Sequence, residues 1–254
     1  MSQRDKNDLK LAVLIDADNV PFSNVKGMME EIAKYGTPTT KRIYGDWTKL
    51  PDKGWKSVLL ENAITPIQQY GYTTGKNATD SAMIIDAMDI LYSDKVDGFC
   101  IVSSDSDFTR LATRLRESGM KVIGIGEKKT PNPFIVACDR FIFIEVIEGA
   151  KKKKVVARTA TPEENKKEEK SLTKIDVDTI DIIESSIEDI AEDDGWAFLG
   201  DVGNLIVKKK PEFDPRNYGF TKLTPLMKSL SNLLEIHERE SDKKGIKHVY
   251  VRLK

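Results

Sequence analysis

Leu11-Ala-Val-Leu-Ile15 runs straight into Asp16-Ala-Asp18-Asn19, and Gly98-Phe-Cys-Ile-Val102 runs in the same way into Ser103-Ser104-Asp105-Ser106-Asp107-Phe108. Each is a short apolar run that stops at polar turn formers, and strands are read over Leu11–Ile15 and Phe99–Ser103. Working outward, Lys41–Tyr44, Thr65–Gln69, Lys121–Gly126 and Phe141–Val146 read as further strands. Between them, Ser23–Tyr35, Lys53–Ala63, Thr79–Tyr92, Phe108–Ser118 and Asn132–Cys138 read as helices. This alternation predicts an α/β domain over residues 1–147, a mostly parallel sheet flanked by helices. Ligands of such sheets gather at the carboxyl ends of the strands.

Past that domain the rhythm breaks. Residues 148–174 hold nine basic and five acidic side chains, with a lysine run at Lys151–Lys154, and read as a charged flexible linker. Residues 175–254 then give helical spacing over Ile175–Ala191, with helices over Phe198–Lys208 and Lys222–Leu233 and a closing strand at Val249–Leu253. That is a small winged-helix-like module.

With 254 residues, 39% hydrophobic and 32% charged, the composition is that of a soluble globular protein. It excludes collagen-like, fully disordered and disulfide-scaffold classes. No apolar run approaches the roughly 20 residues that span a bilayer, and Met1-Ser-Gln-Arg4 opens no apolar signal core. A cytoplasmic location without membrane association is expected. Cys100 and Cys138 lack partners at zinc-ligand spacing and are expected to be reduced and buried. His237 and His248 lie far from the acidic segments, which argues against histidine-based metal or triad chemistry. The net charge of −1 hides an uneven distribution: residues 175–201 carry ten acids and no base, residues 202–254 twelve bases and six acids.

Three acidic groups stand where an apolar strand ends or a helix begins: Asp16 with Asp18, Asp80 after Lys76-Asn-Ala-Thr79, and Asp105 with Asp107. Carboxylates crowded at one rim repel one another unless a cation joins them. Oxygen-only donors select Mg²⁺ or Mn²⁺ over zinc, and such a cation supports phosphodiester hydrolysis. Each aspartate alone also fits a helix cap or turn, Asp80 especially. Asp86, six residues after Asp80, is about 240° round the helix and need not share its face.

The segments Asp16-Ala-Asp-Asn19, Gly75-Lys-Asn-Ala-Thr-Asp-Ser-Ala-Met-Ile-Ile-Asp-Ala-Met-Asp89, Phe99-Cys-Ile-Val-Ser-Ser-Asp-Ser-Asp-Phe-Thr-Arg-Leu111 and Gly124-Ile-Gly-Glu-Lys-Lys-Thr-Pro131 together resemble the NYN family, a PIN-like nuclease branch that includes LabA-type proteins. The resemblance implies a PIN-like α/β fold and Mg²⁺- or Mn²⁺-dependent cleavage of RNA. Its acidic positions fall on Asp16, Asp80 and Asp105, with Asp107 as a further acid. Asn19 is implied to order the site or touch substrate, and Lys76, Ser103, Ser104 and Arg110 are taken as substrate-side residues. Ser104 departs from the Ser-Gly turn that family members often carry.

The C-terminal segments Asp201-Val-Gly-Asn-Leu205, Phe213-Asp-Pro-Arg-Asn-Tyr-Gly-Phe-Thr-Lys-Leu223 and Tyr250-Val-Arg252 resemble the OST-HTH or LOTUS domain, a winged-helix module associated with RNA or with protein partners. Lys208, Lys209, Lys210, Arg216, Lys222 and Lys228 are available to phosphates, and Tyr218 or Phe220 to an unpaired base. The competing reading puts both aromatics in the small core. Trp196 reads as a core anchor.

The favoured function is a metal-dependent ribonuclease whose C-terminal module guides single-stranded or structured RNA or a protein partner. The alternative is a non-catalytic RNA-binding or adaptor protein. A haloacid-dehalogenase-type phosphatase is suggested by Asp16-x-Asp18, but Asn19-Val20 replaces the usual Gly-Thr. A dinucleotide enzyme is weaker, since Gly124-Ile-Gly126 lacks the third glycine.

Overall fold

In the computed structural model, residues 8–48, 52–71, 77–147, 175–240 and 247–254 are described, and they fall in two units that divide the chain near residue 160.

The first contains six strands, β1 (Lys10–Asp16), β2 (Thr37–Gly45), β3 (Thr65–Gln68), β4 (Gly98–Val102), β5 (Lys121–Gly126) and β6 (Arg140–Phe143). They form one sheet in the order β3-β2-β1-β4-β5-β6, every pairing parallel. The helices are α1 (Val25–Ile32), α2 (Asp52–Asn62), α3 (Ala78–Tyr92), α4 (Thr109–Glu117) and α5 (Asn132–Ala137).

Leu11–Ile15 are all fully buried because β1 lies mid-sheet with helices on both sides. Leu11, Val13 and Ile15 pack with Val25, Met28 and Ile32 of α1 and Trp55 and Leu59 of α2. Ala12 and Leu14, pointing the other way, pack with Met83 and Ala87 of α3 and Leu111 and Leu115 of α4. On α3 the buried positions Met83, Ala87 and Ile90 recur at helical spacing. Asp86 of α3 ties the helix to β2, accepting from both the Arg42 guanidinium and the Tyr44 hydroxyl. Burial, then the neighbouring Asp86 carboxylate, keeps that hydroxyl protonated far above its ordinary range.

The strand expected over Phe141–Val146 stops at Phe143, and residues 144–147 are helical. β5, its one sheet neighbour among the described residues, ends at Gly126 opposite Phe143, where the pairing stops; Ile144 and Ile147 turn into the core instead. Cys100 and Cys138 are free and buried, and burial pushes the Cys138 thiol up to about 12.

Gly124 and Gly126, the two glycines of the incomplete dinucleotide pattern, have a packing reason. A Cβ on Gly124 would sit 2.4 Å from the Phe141 ring, and one on Gly126 would sit 2.6 Å from the Ser103 carbonyl oxygen and 2.7 Å from Thr130 Oγ1. Backbone cannot give way cheaply. Gly126→Ala is expected to cost about 1–3 kcal/mol of stability, to be read by urea denaturation.

The second unit comprises α6 (Val177–Ile190), β7 (Ala197–Phe198), α7 (Leu199–Lys209), α8 (Leu223–Ser229), β8 (Leu234–Glu240) and β9 (Lys247–Leu253). The Asp176 carboxylate caps α6 by accepting from Thr179 N at 2.7 Å. Ile183, Ile187, Val202, Ile206, Leu226, Met227 and Val251 make its core. The three strands pair antiparallel in the order β7-β9-β8. The Arg216-Asn-Tyr-Gly-Phe stretch forms a 3-10 turn that ends at Gly219 with φ of 85°, a left-handed cap that favours glycine.

The helix expected over Lys222–Leu233 is shorter, and strand β8 follows where none was expected. Only Leu234 and Ile236 of β8 are apolar; its remaining positions are charged or imidazole, so no period-2 signal stood out. Pairing with β9 decides it.

Candidate functional site

The strand order reverses between β1 and β4, whose connections run to opposite sides of the sheet. Chain segments leaving the carboxyl ends of these two strands diverge, and in sheets of this kind ligands bind at such a rim. Asp16 is the last residue of β1, and Ser103 follows β4 directly. The start of α3, threading from β3 towards β4, brings Asp80 to the same rim.

Asp80, Asp105 and Asp107 each offer one carboxylate oxygen to a set lying within 4.8 Å of one another. Three separate local features aim them. Asp80 sits in the first turn of α3. Asp105 caps the 3-10 turn Ser106–Phe108, its Oδ1 accepting from Asp107 N at 2.9 Å. Asp107 is held by the side-chain amide of Asn77, the residue that precedes α3, which donates to its Oδ2. Asn77 was not singled out from the sequence. An asparagine before a helix signals a cap, and nothing local reveals that its amide turns away to a loop beyond β4.

Asp16 differs from the other three. It is 1% exposed, accepts from Asn19 Nδ2 at 2.5 Å and Ser103 Oγ at 2.9 Å through Oδ2, and from Asp18 N at 3.0 Å through Oδ1. Burial pushes its carboxyl above the ordinary range against these hydrogen bonds. It stands outside the three-carboxylate set but near enough to act on Asp80. Asp80 is pushed up to about 6, first by burial, then by the charges of Asp16, Asp105, Asp107 and Asp18. A carboxylate so enclosed and hydrogen-bonded is a poor phosphatase nucleophile, which counts against the haloacid-dehalogenase reading.

The residues expected on the substrate side separate. Ser103 is fully buried; its hydroxyl donates to Asp16 and accepts from Asp105 N at 3.1 Å, so it joins two strand ends. Ser104 Oγ accepts from Glu127 N at 2.9 Å and fixes the loop to the end of β5. Both are buried, and their hydroxyls are engaged in hydrogen bonds that join strand and loop ends. Asn19 orients Asp16. Arg110 is exposed and lies 3.8 Å from Glu117, two turns along α4. Lys76 lies outside the described residues.

The donor set fits a hard divalent cation. It offers carboxylate oxygens from three segments, no nitrogen or sulfur, and among the described residues no basic side chain pairs with Asp80, Asp105 or Asp107. One consequence is measurable without substrate. The folded Asp80 carboxyl keeps its proton to about 6, whereas in the unfolded chain it releases it near 3.8, so metal-free protein loses stability as pH rises through that interval. In EDTA, Asp80→Asn is expected to flatten that part of the melting-temperature profile and to leave the variant more stable than the parent at neutral pH. Saturating Mg²⁺ or Mn²⁺ is expected to stabilise the parent and not the variant.

In the second unit the expected nucleic-acid cations are largely engaged by acids. Lys209 Nζ lies 2.7 Å from Asp189, Lys210 Nζ 2.6 Å from Thr179 Oγ1 and 3.5 Å from Asp176, and Arg216 forms two side-chain bonds to Asp214. Lys228 meets Glu238 at 3.0 Å. Lys208 and Lys222 are exposed. Tyr218 is 7% exposed, its ring 6.1 Å from Phe213 and its hydroxyl 3.0 Å from Thr179 Oγ1, so it is a core residue and offers no face to a base. Trp196, expected in the core, is only half-buried and packs instead with Arg252, Arg239 and His237.

Comparison with known proteins agrees with this architecture. Residues 10–145 match the NYN domain, and residues 170–246 match the OST-HTH/LOTUS domain. The six-stranded parallel sheet flanked by helices fits the PIN-like α/β fold. No curated protein matches the sequence. Similar solved structures include a protein of unknown function from Vibrio parahaemolyticus, 19% identical over 55% of this chain and 94% of that one, with a TM-score of 0.47. An uncharacterized protein from Nitrosomonas europaea is 29% identical over 38% of this chain and 90% of that one, with a TM-score of 0.31. A Chromobacterium violaceum segment is 40% identical over 29% of this chain and 76% of that one, with a TM-score of 0.24. Among the described residues no helix is long and apolar enough to cross a membrane.

Proposed function

The chain belongs to the NYN domain family, and from that premise we propose that it is a metal-dependent ribonuclease in which Asp80, Asp105 and Asp107 hold Mg²⁺ or Mn²⁺ beside the buried Asp16. The observation that carries the reading is the convergence of three carboxylates on one rim of the sheet, with Asp80 pushed up to about 6, first by burial and then by its acidic neighbours. A cation bound there supplies positive charge to the phosphodiester and makes water a better nucleophile.

The chain's own residues prepare that chemistry. Ser103 and Asn19 fix the Asp16 carboxylate, so the charge behind the site does not reorient when substrate arrives. Asn77 clamps Asp107 and thereby couples the start of α3 to the loop after β4. Asp80, whose charged form is disfavoured first by burial and then by its acidic neighbours, is a carboxylate whose charge a bound cation would offset. Because both units share a chain, RNA held by the OST-HTH/LOTUS unit is presented to the first unit at a raised effective concentration.

End-labelled single-stranded RNA incubated with the full chain tests the proposal. Cleavage in Mn²⁺ or Mg²⁺ that stops in EDTA is expected, with no release of phosphate from a small phosphomonoester. RNA that is bound but left intact at every metal concentration would establish the adaptor reading instead.

A further inference from the structure

The sheet of the second unit has two unlike faces. On one, Ala197 of β7, Val251 of β9 and Leu234 of β8 are buried against the helices, with Ile236, Val249 and Leu253 beside them. On the other, the register sets Phe198 beside Tyr250 and Tyr250 beside His237, with His248 opposite Arg239 and Arg252 opposite Glu235. Trp196, two residues before Phe198, belongs to this second face.

That face is a connected layer of flat groups. The Arg239 guanidinium lies 4.4 Å from the centre of the Tyr250 ring, and that of Arg252 4.8 Å from the centre of Trp196. Phe198 meets Tyr250 at 5.8 Å and His248 at 5.4 Å, and Trp196 meets His237 at 5.9 Å. All three aromatic rings are only half-buried, and Arg239 is exposed. Gly195, with φ of 79°, lets the chain turn into Trp196 close beside the Arg252 stem, 3.2 Å from where a Cβ would stand. A contiguous patch of partly exposed rings, two of them, Trp196 and Tyr250, stacked with guanidiniums, is a surface suited to covering by a planar partner.

We propose that this outward sheet face, built by Trp196, Phe198, His237, Arg239, Tyr250 and Arg252, is a platform for single-stranded RNA; the choice of RNA rests on the function proposed above. The charges and shapes are complementary. Rings and guanidinium planes stack on unpaired bases of any sequence, while the same guanidiniums attract phosphates. The carboxylates nearby do not cancel this. Asp194 stands 3.8 Å from Arg239, and the Glu235–Arg252 pair at 2.6 Å has both side chains about two-fifths exposed, a setting in which an ion pair is weak and a phosphate can displace it. The helix cations, by contrast, are mostly held by Asp189, Asp176, Asp214 and Glu238. A base-paired duplex hides its base faces and finds little to stack on here.

The test uses the full chain in EDTA with a fluorescein-labelled single strand of about 12 nucleotides, within the span of known stacking platforms, and the same sequence as a duplex. Arg239→Ala, an exposed position that leaves folding alone, and Tyr250→Ala are each expected to weaken single-strand binding about tenfold, with the parent preferring single strand to duplex. Trp196→Phe keeps a stacking ring and is expected to bind nearly as the parent while losing most of the RNA-induced quenching of tryptophan fluorescence. Unchanged affinity in both Arg239→Ala and Tyr250→Ala overturns the proposal, as does equal affinity for duplex, or loss confined to Lys208→Ala and Lys222→Ala. Cleavage in Mn²⁺, measured separately, reports on the nuclease alone: tight binding that depends on Arg239 but leads to no cleavage supports the platform and refutes the ribonuclease.

Discussion

Asp105→Asn is expected to slow metal-dependent RNA cleavage by on the order of a thousandfold while leaving the fold intact. The exchange is nearly isosteric, and it separates the two duties of this side chain. Its Oδ1 caps the turn after β4 by accepting from Asp107 N, and an asparagine carbonyl oxygen does the same. What is lost is one negative charge from the three-carboxylate set, and with it part of the hold on a cation. Single-turnover cleavage at saturating Mn²⁺, with melting curves of both proteins alongside, measures the effect. Equal rates in parent and variant would remove Asp105 from the site. A thousandfold loss accompanied by a large fall in melting temperature would point to damage to the cap instead. Rescue of the variant by higher Mn²⁺ would place the loss in metal affinity.

Phe108→Ala carries the largest expected effect on stability, about 3–5 kcal/mol by urea denaturation. Phe108 follows Asp107 directly, is fully buried, and fills the core between α3, α4 and α5 with Met83, Leu111 and Phe134. Truncation leaves a void in a tightly packed layer that cannot collapse without moving the start of α4. The Asp105–Asp107 turn is anchored by this ring, so the variant is also expected to bind Mn²⁺ more weakly than its residual stability would suggest. Isothermal titration below the melting transition checks that. A loss of less than about 1 kcal/mol, within the range of ordinary surface substitutions, would show that the loop is held by its hydrogen bonds and not by the ring.

Much of the first unit was legible because its strands are buried on both faces. Leu11–Ile15 and Gly98–Val102 are unbroken apolar runs, and a run of that kind between amphipathic helices leaves few alternatives to a parallel sheet. The second unit was less legible at β8, where one strand face is charged and the sequence carries no alternation strong enough to distinguish strand from helix. The same polarity that concealed the strand builds the outward face on which Arg239 and His237 stand. Trp196 looked like core for a related reason: a large aromatic is usually buried, and only pairing of β7 with β9 turned it outward beside Arg252.

The sequence by itself determined that acidic residues stand at strand ends and at a helix start, since local chemistry alone puts aspartate where an apolar run breaks off. It did not determine which of them meet. That was decided by the strand order, which reverses between β1 and β4 and brings Asp80, 64 residues beyond Asp16 and 25 before Asp105, to their common rim. Tertiary structure also divided their labour. Burial and three hydrogen bonds hold the Asp16 carboxyl in one orientation, while Asp80, Asp105 and Asp107 each bring an oxygen within 4.8 Å of the others. Such convergence depends on distances between segments far apart in the chain, and no local pattern of residues encodes them.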